Sequence, residues 1–349
     1  GYKIIVMVFV LLACTMLVAF KSQETNVKYI RTNYVSGTHG KTTTTHIIKE
    51  LSNISYIMGC GMGCYNESTY LALEACEYKN HYYSYTPEIL LILNMDIDHP
   101  DFFKSKKEVI NSYQGMCDRS KVVLVNGDEK LAKYLNHSNI YTYGLDNKCD
   151  YQIKIISESK EGYTFLLKGV NLCRLLKCNL VGIHNLYNYI GAYLVCVFCN
   201  IKINHYAKLT LPKRRMSRYI YGESVLIDDY AHHPTEIKAL YESLKIIYPN
   251  YKLKCIFQSH TYSRTLKFKK QFKEVFKMFN EVYLLDVFVS AREKEEELLQ
   301  KKVDRYFRKF KKYHESILET IDKNKQDVWI FLGAGSCNEI LEQFRKEHF

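Results

Sequence analysis

The strongest chemical signal in the sequence is the run Gly37-Thr38-His39-Gly40-Lys41-Thr42-Thr43-Thr44-Thr45. A β-rich stretch enters it and a helical pattern leaves it, the context in which a glycine loop cradles phosphate. Backbone N–H groups around Gly37 and Gly40 can wrap phosphate oxygens, and the helix N-terminus adds its dipole. Lys41 would neutralise β- and γ-phosphate charge, and the Thr42 hydroxyl would ligate Mg²⁺. Val35 departs from the strict phosphate-loop signature, which leaves a plain glycine turn as the alternative. Downstream, Glu74-Ala75-Cys76-Glu77 and Asn94-Met95-Asp96-Ile97-Asp98-His99 each follow an apolar run. A carboxylate and an imidazole at strand ends can reach the metal edge of a phosphate site. Each alone also reads as a surface acid or a capping histidine.

Two further groups carry chemistry. Asp228-Asp229-Tyr230-Ala231-His232-His233-Pro234-Thr235-Glu236 closes a strand and opens a helix at Pro234. Acid and histidine pairs at a strand's carboxyl end suggest a ligand site, against helix capping by Asp229 and solvated histidines. Gln258-Ser259-His260-Thr261-Tyr262-Ser263-Arg264 ends the next strand in the same way.

These groups need a scaffold that brings strand ends together. The pattern predicts strands over 26–35, 88–95 and 121–125, helices over 41–51, 104–118 and 184–199, and a β-meander over 150–181 turning at Gly162 and Gly169. A second series predicts strands over 224–228, 253–258, 281–286 and 327–332, with helices over 234–247, 264–279, 293–319 and 336–347. Such alternation implies parallel sheets with right-handed crossovers. The expected fold is α/β: a central P-loop ATPase domain with a parallel sheet, plus a C-terminal Rossmann-like α/β domain. Expected boundaries are 1–25 for a hydrophobic N-terminal segment, 26–213 for the central ATP-binding domain and 214–349 for the C-terminal domain.

Composition narrows the class. The chain has 349 residues, of which 47% are hydrophobic and 25% charged, so it is neither disordered nor collagen-like. Its formal net charge of +12 suits anionic partners such as nucleotides. No segment concentrates that charge as a nucleic-acid arm would; Lys104–Lys107 and Arg308–Lys312 fall in helical patterns and read as solvated faces. The 12 cysteines are scattered, and the close pairs Cys60/Cys64 and Cys196/Cys199 lack partners at zinc-finger spacing. Reduced, mostly buried thiols in a reducing cytoplasm are expected.

Residues 4–20 carry no charge and are flanked by Lys3 and Lys21. A membrane anchor at the short end of the spanning range, a buried element and a remnant of something longer all fit. A signal peptide fits less well, since no small-x-small site follows. The chain opens at Gly1 without an initiator methionine.

Taken in order, GTHGKTTTT, EACEY, NMDIDH, GIHNLYN, KRR, DDYAHHPTEI, SHTYSR, SAREK and GAG resemble the motifs of the Mur ligases from about residue 30 to 336. Within that family the pattern is most similar to the type that joins L-alanine to UDP-N-acetylmuramate. A murein tripeptide-recycling relative shares GTHGKTTT, but Tyr230 and Thr235-Glu236 favour the alanine-adding type. The resemblance implies a cytoplasmic, ATP- and Mg²⁺-dependent ligase of peptidoglycan precursor synthesis, working through an acyl phosphate. It places Gly37, Thr38, His39, Gly40, Lys41, Thr42 and Thr43 on the ATP phosphates. Thr42, Glu74 and His99 become metal ligands, His184 and Asn185 the adenine contacts, and Arg214 or Arg215 the phosphate arginine. Asp229 meets the nucleotide; Tyr230, His233, His260 and Arg264 fall in the substrate and catalytic cleft, with Lys41 and Arg264 as its fixed charges.

Three departures stand beside the resemblance. No glycine-rich fingerprint of the family's UDP-binding first domain precedes Gly37. Ser259 and Thr261 replace the usual Pro and Arg around His260, and the segment from Asn200 to Arg214 is short. They motivate an alternative: a degenerate or truncated ligase that binds ATP or a partner without turnover.

Overall fold

The computed structural model describes residues 30–59, 61–66, 68–75, 86–98, 102–289 and 296–349. The hydrophobic stretch 4–20, His99, Cys60, Cys76, Glu77 and residues 290–294 lie outside that set. Among the described residues, no helix is long and apolar enough to cross a membrane.

The first unit is built on a ten-stranded sheet in the order β10-β9-β8-β7-β6-β5-β1-β4-β2-β3. Its parallel centre comprises β1 (Arg31–Ser36), β4 (Tyr70–Glu74), β5 (Ile89–Ile92), β6 (Val122–Asn126) and β7 (Ile140–Gly144). On one side of the centre stand the short β2 (Ser55–Ile57) and β3 (Gly63–Cys64). On the other, β8 (Tyr151–Ser159), β9 (Gly162–Gly169) and β10 (Leu172–Cys178) form the expected antiparallel meander. The central strands are buried on both faces, which is why they read as unbroken apolar runs. Val35, Leu91 and Leu124 face α1 (Lys41–Leu51) and α3 (Ile183–Phe198), while Tyr34, Leu90, Ile92 and Val123 face α2 (Lys106–Cys117).

The second unit carries a six-stranded sheet, β11-β12-β16-β13-β14-β15, parallel except for the β11–β12 pair. Its strands are β11 (Ser217–Tyr221), β12 (Ser224–Asp229), β13 (Lys252–Phe257), β14 (Glu281–Leu284), β15 (Lys311–Lys312) and β16 (Asp327–Leu332). Helices α4 (Pro234–Ile247), α5 (Tyr262–Lys267), α6 (Lys269–Phe276) and α7 (Glu297–Phe307) cover one face, and α8 (Cys337–His348) covers the other.

The structure corrects two expected helices. The run expected over 264–279 breaks into α5 and α6 at Phe268, which leaves helical geometry at φ −98°, ψ 15° and packs against His233 at 4.7 Å. The run expected over 293–319 stops as a helix at Phe307. There Phe310 turns inward onto Phe276 at 5.4 Å, and Lys311–Lys312 pair with β14, so Arg308–Lys312 is no helical face. Strand β4 ends at Glu74, where a strand end was expected, whereas β2, β3, β7, β11 and β15 had no counterpart in the sequence pattern.

Candidate active site

The carboxyl ends of both sheets face a shared cleft of about 720 Å³, within the ordinary size range of ligand sites. The loop between β1 and α1 lies on its wall. Gly40, the N-cap of α1, sits at φ 84°, a conformation open to glycine, and a Cβ there would stand 2.5 Å from Asn188 Oδ1. The first turn of α1 has no acidic residue and no side-chain cap. Its leading N–H groups therefore keep their pull on an anion. Lys41 folds over the loop, and Nζ donates to the carbonyls of Gly37 (2.5 Å) and Thr38 (3.3 Å).

Asn94, from the chain after β5, holds this loop in shape. His39 N donates to Asn94 Oδ1 (2.8 Å), and Asn94 Nδ2 donates back to His39 O (2.9 Å). Thr38 N donates to Asn94 O (3.3 Å), and Asp96 N donates to Thr38 Oγ1 (2.8 Å). Asn94 was quoted in the sequence only as part of a motif; nothing in its type signals a partner 55 positions away.

Thr42 and Glu74 meet as expected: Thr42 Oγ1 donates to Glu74 Oε2 at 2.9 Å, and Gly59 N donates to the same oxygen at 2.8 Å. Two hard oxygen donors beside a phosphate-type loop fit Mg²⁺. The third expected ligand, His99, lies outside the described residues.

On the far wall, His184 and Asn185 begin α3 and line the cleft with Thr43 and His39. Asn185 Nδ2 donates to Val181 O at 2.8 Å. Burial lowers the His184 pKa to about 4, ahead of the opposing pull of Glu236, so its imidazole is neutral at physiological pH. Arg215 lines the cleft and lies 3.8 Å from Glu236, whereas Arg214 is engaged elsewhere. Arg214 Nη2 donates to Gly333 O at 2.7 Å, and Nε lies 3.4 Å from Asp228. Both guanidinium groups lie over the Tyr230 ring, at 5.1 and 5.4 Å.

Asp229 lines the cleft but is not a helix cap: its carboxylate accepts from Met216 N (2.7 Å) and Ala231 N (2.8 Å). Burial raises its pKa to about 6, against the lowering influence of Arg215. The cap of α4 is His233, whose Nδ1 accepts from Thr235 N at 3.3 Å. Glu236 reaches back to the N–H groups of His232 (3.0 Å) and His233 (3.3 Å). Its other oxygen, Oε1, lies 3.2 Å from His39 Nδ1, so an acid of the second unit touches the phosphate-type loop of the first. A glutamate three residues after a cap is a sequence signal for capping, not for this second contact.

His260 and Arg264 come together as expected, with Nη1 of Arg264 2.8 Å from His260 Nδ1. The carboxylate that Arg264 holds, however, is that of Asp98, at 2.9 Å from Nε. Thr261, the cap of α5, takes a strained φ of 66°.

A two-sheet α/β protein with a glycine phosphate-type loop at the junction is the architecture of a nucleotide-dependent enzyme. Residues 61–196 match the Mur ligase middle domain, and residues 214–335 match the Mur ligase glutamate ligase domain. Carrying both, the chain belongs to the Mur ligase family. The fold is similar to that of UDP-N-acetylmuramate-alanine ligase MurC from Thermotoga maritima, with TM-score 0.71, 20% identity, and coverage of 92% of this chain and 76% of that one. It is also similar to MurF from Acinetobacter baumannii (TM-score 0.72, 13% identity, 91% and 77% covered). A third structure, MurF ligase from Thermotoga maritima in complex with ADP, gives TM-score 0.68 at 16% identity, with 91% and 80% covered.

Proposed function

We propose that this chain, with domains at 26–213 and 214–349, is an ATP-dependent ligase that joins L-alanine to the lactyl carboxylate of UDP-N-acetylmuramate. The observation that carries the nucleotide half is the loop Gly37–Thr43, with its uncapped helix end, opening on a cleft shared by both sheets. ATP would lie between His184–Asn185 and that loop, with Arg215 rather than Arg214 near the phosphates. Mg²⁺ would be held by Thr42 and Glu74, with His99 as the expected third ligand, and would offset charge on the phosphate oxygens. The alanine-specific half rests on the motif resemblance alone.

In this reading the lactyl carboxylate attacks the γ-phosphorus, ADP leaves, and the acyl phosphate forms. The alanine amine then attacks the acyl carbon, and phosphate leaves as the amide forms and the amine gives up its proton. The protein's contribution is placement and fixed charge. Lys41 would stabilise charge on the transferring phosphoryl group, and His260 with Arg264 would serve the substrate side, as the motif resemblance implies. Tyr230 lies beneath the guanidinium groups of Arg214 and Arg215, beside the cleft-lining Asp229 and Ala231.

The test is phosphate release from ATP by the purified chain with Mg²⁺, UDP-N-acetylmuramate and L-alanine, each omitted in turn. Release that requires all of them, and falls at least ~100-fold in Lys41→Met, supports the proposal. Release only with a different amino acid or a UDP-muramyl peptide would reassign the substrate within the family. The non-catalytic alternative draws support from Arg264, whose guanidinium is already engaged by Asp98. ATP binding by calorimetry with no turnover under any substrate combination would favour it.

A further inference from the structure

Beside the phosphate-type loop stands a second cluster of metal-ligating side chains, distinct from Thr42, Glu74 and His99. His39 lies on the phosphate-type loop, Asp96 follows β5, and His233 caps α4 of the other domain. Their potential ligand atoms all lie within 4.8 Å of one another. His39 Nε2 is 4.0 Å and His233 Nδ1 3.8 Å from Asp96 Oδ2, and the two rings stand 4.9 Å apart. We infer that His39, Asp96 and His233 form a site for a zinc-class transition-metal ion that clasps the two domains together.

Three features separate this cluster from an ordinary polar contact. His39 Nε2, the ring nitrogen that faces Asp96, is buried without a hydrogen-bond partner among the described residues, and such nitrogens are rarely left so. His233 is only 3% exposed, and the hydrogen bond that its ring Nδ1 accepts from Thr235 N is long, at 3.3 Å. The surroundings also match the outer shell of a metal site. Glu236 Oε1 faces His39 Nδ1 at 3.2 Å, which fixes the proton there and turns the Nε2 lone pair toward Asp96. Thr235 Oγ1 and Ile97 N hold the two oxygens of Asp96, at 2.9 and 2.8 Å.

The donor set selects the metal. Two imidazoles and one carboxylate suit Zn²⁺ or Co²⁺; Mg²⁺ prefers oxygen and keeps its water. Tetrahedral bonds of about 2.0–2.2 Å set ligand atoms roughly 3.3–3.6 Å apart, so side-chain movements of up to about an ångström close the set. Three protein ligands leave a fourth position for water. The cluster shares no residue with Thr42, Glu74 and His99.

The test uses the full chain, stripped with chelator and titrated with Co²⁺ alone, with no nucleotide present. One Co²⁺ per chain is expected, with visible ligand-field bands that Zn²⁺ abolishes and millimolar Mg²⁺ leaves unchanged. His39→Gln and Asp96→Asn should each weaken binding at least ~10-fold, while His205→Gln, at an exposed position, should not. Asp96→Asn is nearly isosteric and its side chain is 40% exposed, so it decides the question if His39→Gln fails to fold. No bound Co²⁺ in the wild type, binding indifferent to Asp96→Asn, or displacement by Mg²⁺ would each overturn the proposal. None of these readouts depends on ligase activity.

Discussion

Arg264 Nε and Asp98 Oδ1 meet at 2.9 Å across the domain junction, and the two residues are only 4% and 6% exposed. Removing one member leaves a buried charge unpaired, which costs about 3–5 kcal/mol. Asp98→Asn should therefore lower the unfolding free energy by an amount in that range, read from the shift of the denaturant midpoint at constant slope. The double change Asp98→Leu with Arg264→Met should recover a large part of the loss. Losses that simply add would show that the pair is not coupled.

Asn94 makes a reciprocal pair of hydrogen bonds with His39. Asn94→Ala removes both and frees the loop, at about 1–3 kcal/mol. ATP should bind ~10-fold or more weakly in calorimetry, since 1.4 kcal/mol is a factor of ten. Unchanged affinity would mean that the loop keeps its shape without this clamp.

Gly40 combines a positive φ with the close approach of Asn188. Gly40→Ala should destabilise the chain by about 1–2 kcal/mol and reduce ATP affinity more than Asn94→Ala does. A variant as stable and as tight-binding as the parent would count against the loop geometry.

His184 has a folded pKa of about 4, below the ordinary 6.5, chiefly through burial. Between pH 6.5 and 4 the unfolded chain holds a proton that the folded chain refuses. Its stabilising contribution is thus complete above pH 6.5 and is lost as the pH falls toward 4, by about 1–3 kcal/mol. His184→Gln should flatten the melting-temperature profile across that window. A parallel profile in the variant would assign the acid sensitivity to other groups.

The boundaries of α1 and α4 match the sequence pattern because local signals fix them: a glycine before Lys41, and Pro234 at the first helical position. The apolar runs at β5, β6 and β16 were equally legible, since strands buried on both faces need no periodicity. Short strands such as β2 and β15 were not, because only pairing to a neighbour defines three or two residues as a strand. The break at Phe268 is likewise set by packing against His233 rather than by a breaker residue. At the site, Thr42 with Glu74 and His260 with Arg264 were readable as groups, and the presence of Arg215 rather than Arg214 on the cleft wall was not. Arg214 is held instead by the carbonyl of Gly333, which lies 119 positions away.

Residues 94–98 serve both domains at once. Asn94 sets the nucleotide-type loop, Thr235 reaches Asp96, Ile97 packs into the second core, and Asp98 anchors Arg264. Such a strip works as a mechanical linkage. A swing that draws Asp98 from Arg264 tugs on peptides a few bonds from the amide that steadies His39. Grip and swing are then a single motion, and a one-residue insertion in this strip would uncouple them while sparing both hydrophobic cores.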